Sequence, residues 1–292
     1  MAANSRQVLR RRIRSIRETS KVTRAMELIA SARMRRAEQR AVSARPYADH
    51  LGTLMALAMS QPAIGPEHSM FRRPEGGAAL VVHFTTDKGL CGGLNSRLNH
   101  ALAKFVLSQS TPVRVATVGR KGRDFALRAG LGLVAEFSGL GDAPGVAALR
   151  PLCRLITDAY LRFEIDRVYL CYPRFVNVVT QEPAVECILP VDVVDHGGTA
   201  GGEVLFEPEP VQLLEHLVVR YVEASTYHAH LELLASEHSA RLVAMHGATE
   251  SAGELADAMT AELNRARQAA VTEEICDVSA GVEVLDHGGM ND

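Results

Sequence analysis

Apolar and small residues recur at spacings of three and four along both ends of the chain. From Val211 to Leu285 the stripe runs through Leu214, Leu217 and Tyr221, then Leu231 and Leu234. It resumes at Leu242, Met245, Ala248, Ala252, Leu255, Met259, Leu263, Ala266 and Ala270, and closes on Val278, Val282 and Leu285. A helix over this range would span on the order of 110 Å, more than a compact monomer of this size buries. Such a run belongs to a coiled coil or a larger assembly. At the other end, residues 4–45 predict a helix with Leu9, Ile13, Ile16, Ser20, Thr23, Ala30, Ala37, Ala41 and Ala44 near one seam. Val22, Met26 and Ile29 lie beside it. All twelve prolines fall between Pro46 and Pro210, so the ends are free of the residue that breaks helix interiors. Arg45-Pro46 predicts a stop or kink, followed by a second helical piece over Tyr47–Met59 and a loop over residues 61–77.

From Ala78 the period changes. Residues 79–84 form a short apolar run, as in a strand buried on both faces. Further strands are expected over Val113–Val118, Val134–Phe137 and Arg167–Tyr172, with one or two more between Val178 and Val194. Helices are expected over Gly92–Ser108, Gly122–Ala129 and Val146–Phe163. Alternating strands and helices imply an α/β layer with a largely parallel sheet. The expected fold is an antiparallel coiled coil of N- and C-terminal helices, residues 1–60 and 208–286, with an inserted Rossmann-like α/β domain over residues 76–195. A turn-rich connection, residues 196–202, leads toward the last helix.

Charge sharpens this picture at one place. The net charge is −2, but residues 1–50 carry thirteen Arg or Lys against four acids, on the face opposite the seam. A solvated face, a nucleic acid or an acidic protein surface would each fit. Five cysteines without a C-x-x-C pair argue against a disulfide framework or a structural zinc site. No run of about 18 apolar residues is present. The loop Thr85–Asn95 sits where a strand hands over to a helix, the place where α/β proteins hold phosphates, yet it matches no phosphate-binding fingerprint. A tight turn or a partner contact suits its glycines better. Cys91 has no base partner in view, and His228, His230, His238 and His246 are spaced wrongly for chelation, so solvated or interface histidines are expected. No catalytic residue, cofactor or metal is expected. A nucleotide-binding α/β enzyme and a nucleic-acid-binding coiled coil remain alternatives at this point.

The ends carry a resemblance. Arg12-Ile13-Arg14-Ser15-Ile16, Val22-Thr23-Arg24-Ala25-Met26-Glu27-Leu28 and Ala32-Arg33-Met34-Arg35-Arg36-Ala37 resemble the first helix of the gamma subunit family of F-type rotary ATP synthases. The loop Asp87–Asn95, the block Ser236–Met245 and the block Asn264–Ile275 are similar to that family in the same order. The resemblance implies a rotor shaft inside a ring of three alpha and three beta subunits. Its α/β domain would rest on the c-subunit ring beside the epsilon subunit, with no nucleic acid partner. It implies a protein peripheral to the membrane, on the cytoplasmic face of the bacterial inner membrane, coupling ion flow to ATP synthesis or hydrolysis. Met26, Arg267, Gln268, Thr272 and Glu274 match positions at or near the shaft's contacts with the ring, and Lys88, Gly89 and Cys91 match a loop near beta and epsilon. Leu263 stands where the family usually has Tyr, and Val282-Glu283-Val284 follows Gly281 where the family usually continues with Ala.

Overall fold

The structure is a computed structural model that describes residues 2–59, 77–142, 144–191 and 210–288. The connections expected over residues 61–76 and 196–202 lie outside them, as do the side chains of Leu214, Val282 and Leu285. Chain order is α1 (Ala2–Met59), β1 (Ala79–Phe84), α2 (Leu94–Ser108), β2 (Val113–Val118), α3 (Arg120–Arg128), β3 (Gly132–Phe137), α4 (Val146–Leu161), β4 (Arg167–Phe175), β5 (Gln181–Leu189) and α5 (Pro210–Gly288). These elements divide into two compact units, one of residues 1–28 and 245–292, the other of residues 29–244.

In the larger unit the sheet runs in the order β3-β2-β1-β4-β5. The pairs β1–β2, β1–β4 and β2–β3 are parallel, and β5 closes one edge antiparallel to β4. All six residues of β1 are buried, which explains the unbroken apolar run of a central strand. One face of β1 presents Leu80, Val82 and Phe84 to a core shared with Leu149, Leu152 and Ile156 of α4, Met55 and Ala58 of α1, and Val218, Val222 and Leu233 of α5. The other face packs Val81 with Leu102 of α2, beside Phe105 and Phe125. The terminal helices thus cover one face of the sheet and complete its core.

The smaller unit is an antiparallel helix pair. Thr23 Oγ1 meets Thr249 Oγ1 at 2.7 Å, Glu27 meets His246 at 3.2 Å, and Ile13 lines one groove with Thr260 and Leu263. Each step up α1 is therefore matched by a step down α5. The buried and half-buried positions, Leu9, Ile13, Ile16, Ser20, Thr23 and Glu27 on α1, alternate by four and three. So do Met245, Thr249, Ala252, Ala256, Met259, Leu263, Ala266 and Ala270 on α5. The sequence pattern put Leu255 in this stripe, but Ala256 takes the position at 4% exposure and Leu255 is 52% exposed. Steps of four, three and four from Met245 land on Thr249, Ala252 and Ala256, and their small side chains suit close approach of two helices.

Helix α1 also corrects the expected stop at Arg45-Pro46, because the helix continues through Pro46. Proline removes the hydrogen bond to the carbonyl of Val42. Val42 and Pro46 are both exposed, so water satisfies that carbonyl, and the Pro46 carbonyl is itself engaged by His50 Nδ1.

Gly247 and Gly253 sit inside α5 with nothing within 4 Å of where a Cβ would stand. Each costs a helix about 1 kcal/mol relative to alanine. Gly247→Ala and Gly253→Ala are therefore expected to stabilise the isolated chain by about that amount each. Denaturant unfolding followed by circular dichroism checks this, and a loss of stability in either variant would contradict the open surroundings.

Candidate partner-contact surfaces

The first candidate surface is the loop after β1. Thr86 and Asn95 hold its shape: the Asn95 Nδ2 donates to Thr86 Oγ1 at 2.8 Å and to Cys91 Sγ at 3.2 Å, and the Thr86 amide donates to Asn95 Oδ1 at 3.2 Å. Leu90 (φ 62°) and Gly92 (φ 55°) turn the chain through the left-handed region. Cys91 faces inward at 1% exposure, packed with Leu94 and Leu98 of α2 and Ala240 of α5, and burial pushes its thiol up. A buried neutral thiol is a poor nucleophile. Gly89 is half-buried, with its carbonyl accepting from Arg241 at 3.2 Å. Lys88 is exposed, and Leu90 is 61% exposed at the tip. Of the three loop residues singled out in the sequence, Lys88 offers its side chain outward, whereas Cys91 shapes the loop from within.

The same loop lies where a doubly wound sheet would receive a nucleotide. Two amides at the start of α3 are already engaged: the Arg120 amide donates to Asp87 Oδ1 at 3.1 Å and the Gly122 amide to Thr85 Oγ1 at 2.7 Å. The crevice between the ends of β1 and β4 is bridged by α5. The Phe175 amide donates to Glu232 Oε2 at 2.7 Å, Ser236 Oγ donates to the Pro173 carbonyl at 3.3 Å, and Ala240 packs on Cys91. A phosphate finds these donors occupied.

His246 is exposed, in line with the expected solvated or interface histidines, but other histidines follow a different course. His83, His230 and His238 are 0%, 3% and 2% exposed, and burial lowers each to about 4. They are neutral core side chains. Their burial had a signal in the sequence, since His83 lies inside the apolar run of β1 and His230 beside Leu231.

The second surface belongs to the helix pair. Glu27 lies in the seam and accepts from His246 and Arg24. Burial pushes its carboxyl up, but those hydrogen bonds outweigh burial and hold it below the usual carboxylate range. Met26, beside the seam, is half-buried. On the outer face Lys21 pairs with Glu18 and Arg24 with Glu27, while among the described residues no acid pairs with Arg10, Arg14 or Arg17. The pairing register puts Ala2 opposite about residue 270, yet α5 runs on to Gly288. Beyond Ala270 the next seam position is Glu273, a carboxylate, and a new apolar line appears with Val271, Ile275 and Val278 at 46%, 60% and 68% exposure. Arg267, Gln268, Thr272 and Glu274 are exposed around it. Among the described residues the end of α5 thus has no α1 partner, and it shows both apolar and charged side chains outward.

Comparison with known proteins gives these surfaces a context. A family model described as ATP synthase matches residues 5–285. The ATP synthase gamma chain of Dehalococcoides mccartyi (strain 195) is 40% identical over 279 residues, covering 95% of this chain and 98% of that one. The chain belongs to the ATP synthase gamma chain family. The gamma chain of Acidithiobacillus ferrooxidans is 41% identical over 291 residues, 97% of this chain and 100% of that one. Among solved structures, the rotor of the Euglena gracilis mitochondrial ATP synthase shares the fold with a TM-score of 0.68 at 16% identity, over 92% of this chain and 99% of that one. The central stalk of the Tetrahymena thermophila enzyme does so with a TM-score of 0.61 at 21% identity, over 78% and 99%. The fold expected from the sequence is the one found, N- and C-terminal helices with a five-stranded α/β domain inserted between them in the sequence. Among the described residues no helix is long and apolar enough to cross a membrane.

Proposed function

We propose that the chain is the central rotor subunit of an F-type ATP synthase, coupling ion flow through a membrane sector to ATP synthesis or hydrolysis on a ring of three alpha and three beta subunits. The observation that carries this is the end of α5, which outruns α1 and presents Val271, Ile275 and Val278 to water. Exposing such a line costs free energy that an enclosing partner recovers. A ring threaded by a single helix supplies that cover on every side. Met26, Arg267, Gln268, Thr272 and Glu274 are its proposed contacts on the helix pair. The exposed basic line of Arg10, Arg14 and Arg17 suits acidic segments of the ring. Lys88 and Gly89, with the tip residue Leu90 and held in shape by Cys91, form the proposed contact with beta and epsilon. The α/β domain would stand on the c-subunit ring, at the cytoplasmic face of a bacterial inner membrane.

In this reading the chemistry belongs to the ring, and the chain acts by contacting successive beta conformations with different free energies. Without such a difference it could shift no nucleotide site.

Co-expression with alpha and beta subunits tests the proposal. The expected product is a complex of three alpha, three beta and one copy of this chain, with ATPase activity that depends on it. Ile275→Asp with Val278→Asp should lower the ring-bound fraction by about tenfold or more, because burying unpaired carboxylates costs several kcal/mol. Recovery of the chain apart from an equally active ring would defeat the reading.

A further inference from the structure

Two loops of the larger unit grip its segments of α1 and α5, and a single carboxylate ties the loops together. The loop after β1 holds α5: Arg241 donates to the Gly89 carbonyl, and Cys91 packs on Ala240. The loop after β3 holds α1: Asp142 Oδ2 pairs with Arg33 at 2.6 Å, and Arg40 donates to the Asp142 carbonyl at 3.4 Å. Asp142 Oδ1 also lies 3.7 Å from His238 Nε2 on α5, a histidine that burial keeps neutral. Asp87 joins the two loops. Its Oδ2 accepts the Gly139 amide at 2.8 Å, while its Oδ1 accepts the Arg120 amide at the start of α3.

These ties surround a gap rather than a packed core. A cavity of about 270 Å³ is lined by Arg33, Asp87, Gly139, Asp142, His230 and Glu237 among others. Both ring nitrogens of His230 lack a hydrogen-bond partner among the described residues. Across this gap the loops meet the helices through polar ties, beside the Cys91–Ala240 contact.

We propose that Asp87 and Asp142 close a collar on the α1 and α5 segments of the larger unit and are positioning residues for mechanical coupling. They stop the helix segments from turning against the sheet when torque passes between them. The proposal rests on the rotor reading above and deepens it. An isolated exposed ion pair adds little stability. Its value in the collar is geometric, because Arg33 and Arg40 anchor the β3 loop to α1 from two positions on that helix.

The test uses the complete ATP synthase in sealed vesicles, measuring ATP hydrolysis and ATP-driven ion uptake together. The variants are Asp87→Ala, Asp142→Arg, Arg33→Asp and the charge exchange Arg33→Asp with Asp142→Arg. For the three single variants the expected result is an intact complex that hydrolyses ATP but takes up fewer ions per ATP. The charge exchange should restore the ratio. Hydrogen exchange of amides 138–142 should rise roughly two- to fivefold in Asp142→Arg, the size an exposed pair commands, and return in the exchange variant. A general folding defect would lower complex yield and would not be repaired by exchanging charges. Wild-type uptake that does not depend on this chain would remove the rotor reading itself. Wild-type coupling with unchanged ratios in all three single variants would overturn the collar alone.

Discussion

Replacing Gly119 with alanine is expected to abolish stable folding of the α/β domain. Gly119 links β2 to α3 with φ +95° and ψ 142°, in a region almost closed to other residues. A Cβ there would stand 2.0 Å from the Thr85 carbonyl oxygen, a backbone atom, so no side-chain rotation relieves the clash. The local hydrogen bonds leave little room to shift. The Thr85 amide donates to the Val118 carbonyl, the Gly119 amide donates to the Phe137 carbonyl, and Thr85 Oγ1 accepts from Gly122. Strain together with lost hydrogen bonds should cost on the order of 4 kcal/mol or more, a large share of a domain's stability. Gly130→Ala is the control. Its φ of +65° is also left-handed, but nothing lies within 4 Å, so only the backbone penalty of about 1–2 kcal/mol applies. Thermal unfolding of the two variants separates steric from conformational cost, and equal melting temperatures would refute the distinction.

Acid should destabilise the same unit steeply. His83, His230 and His238 are buried, and burial lowers each from 6.5 to about 4; the hydrogen bond that His83 Nε2 donates to Asn99 Oδ1 and the charge of Asp142 near His238 only partly oppose it. Between those pH values the unfolded chain binds protons that the folded one refuses. The stability these groups contribute is therefore full above pH 6.5 and is lost as pH falls toward 4. Each histidine contributes on the order of 3 kcal/mol to that loss. The melting temperature of the full chain, scanned from pH 7.5 to about 4.5, should drop throughout the window. His230→Leu should make the drop shallower, since it removes one of three titrating groups from a buried site beside Phe84. A melting temperature independent of pH would contradict the buried neutral state.

The features legible in the sequence are those that repeat. The seam residues Leu9, Ile13 and Ile16 and their α5 counterparts announce a helix pair because their spacing cannot serve a strand. The fully apolar β1 announces a central strand. The phase of the α5 seam was less legible: Leu255 is the more hydrophobic choice, but two helices at close approach favour Ala256, and spacing alone does not separate them. Pro46 misled because the rule against helix-interior proline assumes that the orphaned carbonyl is buried, and here it meets water. Arg33 and Arg40 are two of the thirteen cations in residues 1–50, and nothing local marks their partner Asp142, about a hundred residues away. Cys91 looked like part of an outward loop because glycines surround it, whereas its contacts with α2 and α5 exist only after folding. At the proposed contact site, sequence similarity located the residues, and exposure separated those able to meet a partner from those that shape the loop.

The strict alternation of four and three along the helix pair has a mechanical consequence. A seven-residue repeat falls short of two full turns of a straight helix, so keeping the seam closed winds the two helices around each other in a left-handed sense. A two-stranded rope of one hand does not answer twist symmetrically. Turning one end against the other in one direction tightens the winding and presses Ala252 and Ala256 onto α1, whereas turning it the other way relaxes the lay and draws them apart. The smaller unit should therefore be stiffer toward one sense of rotation than toward its reverse, a chirality of response written by the spacing of its apolar residues.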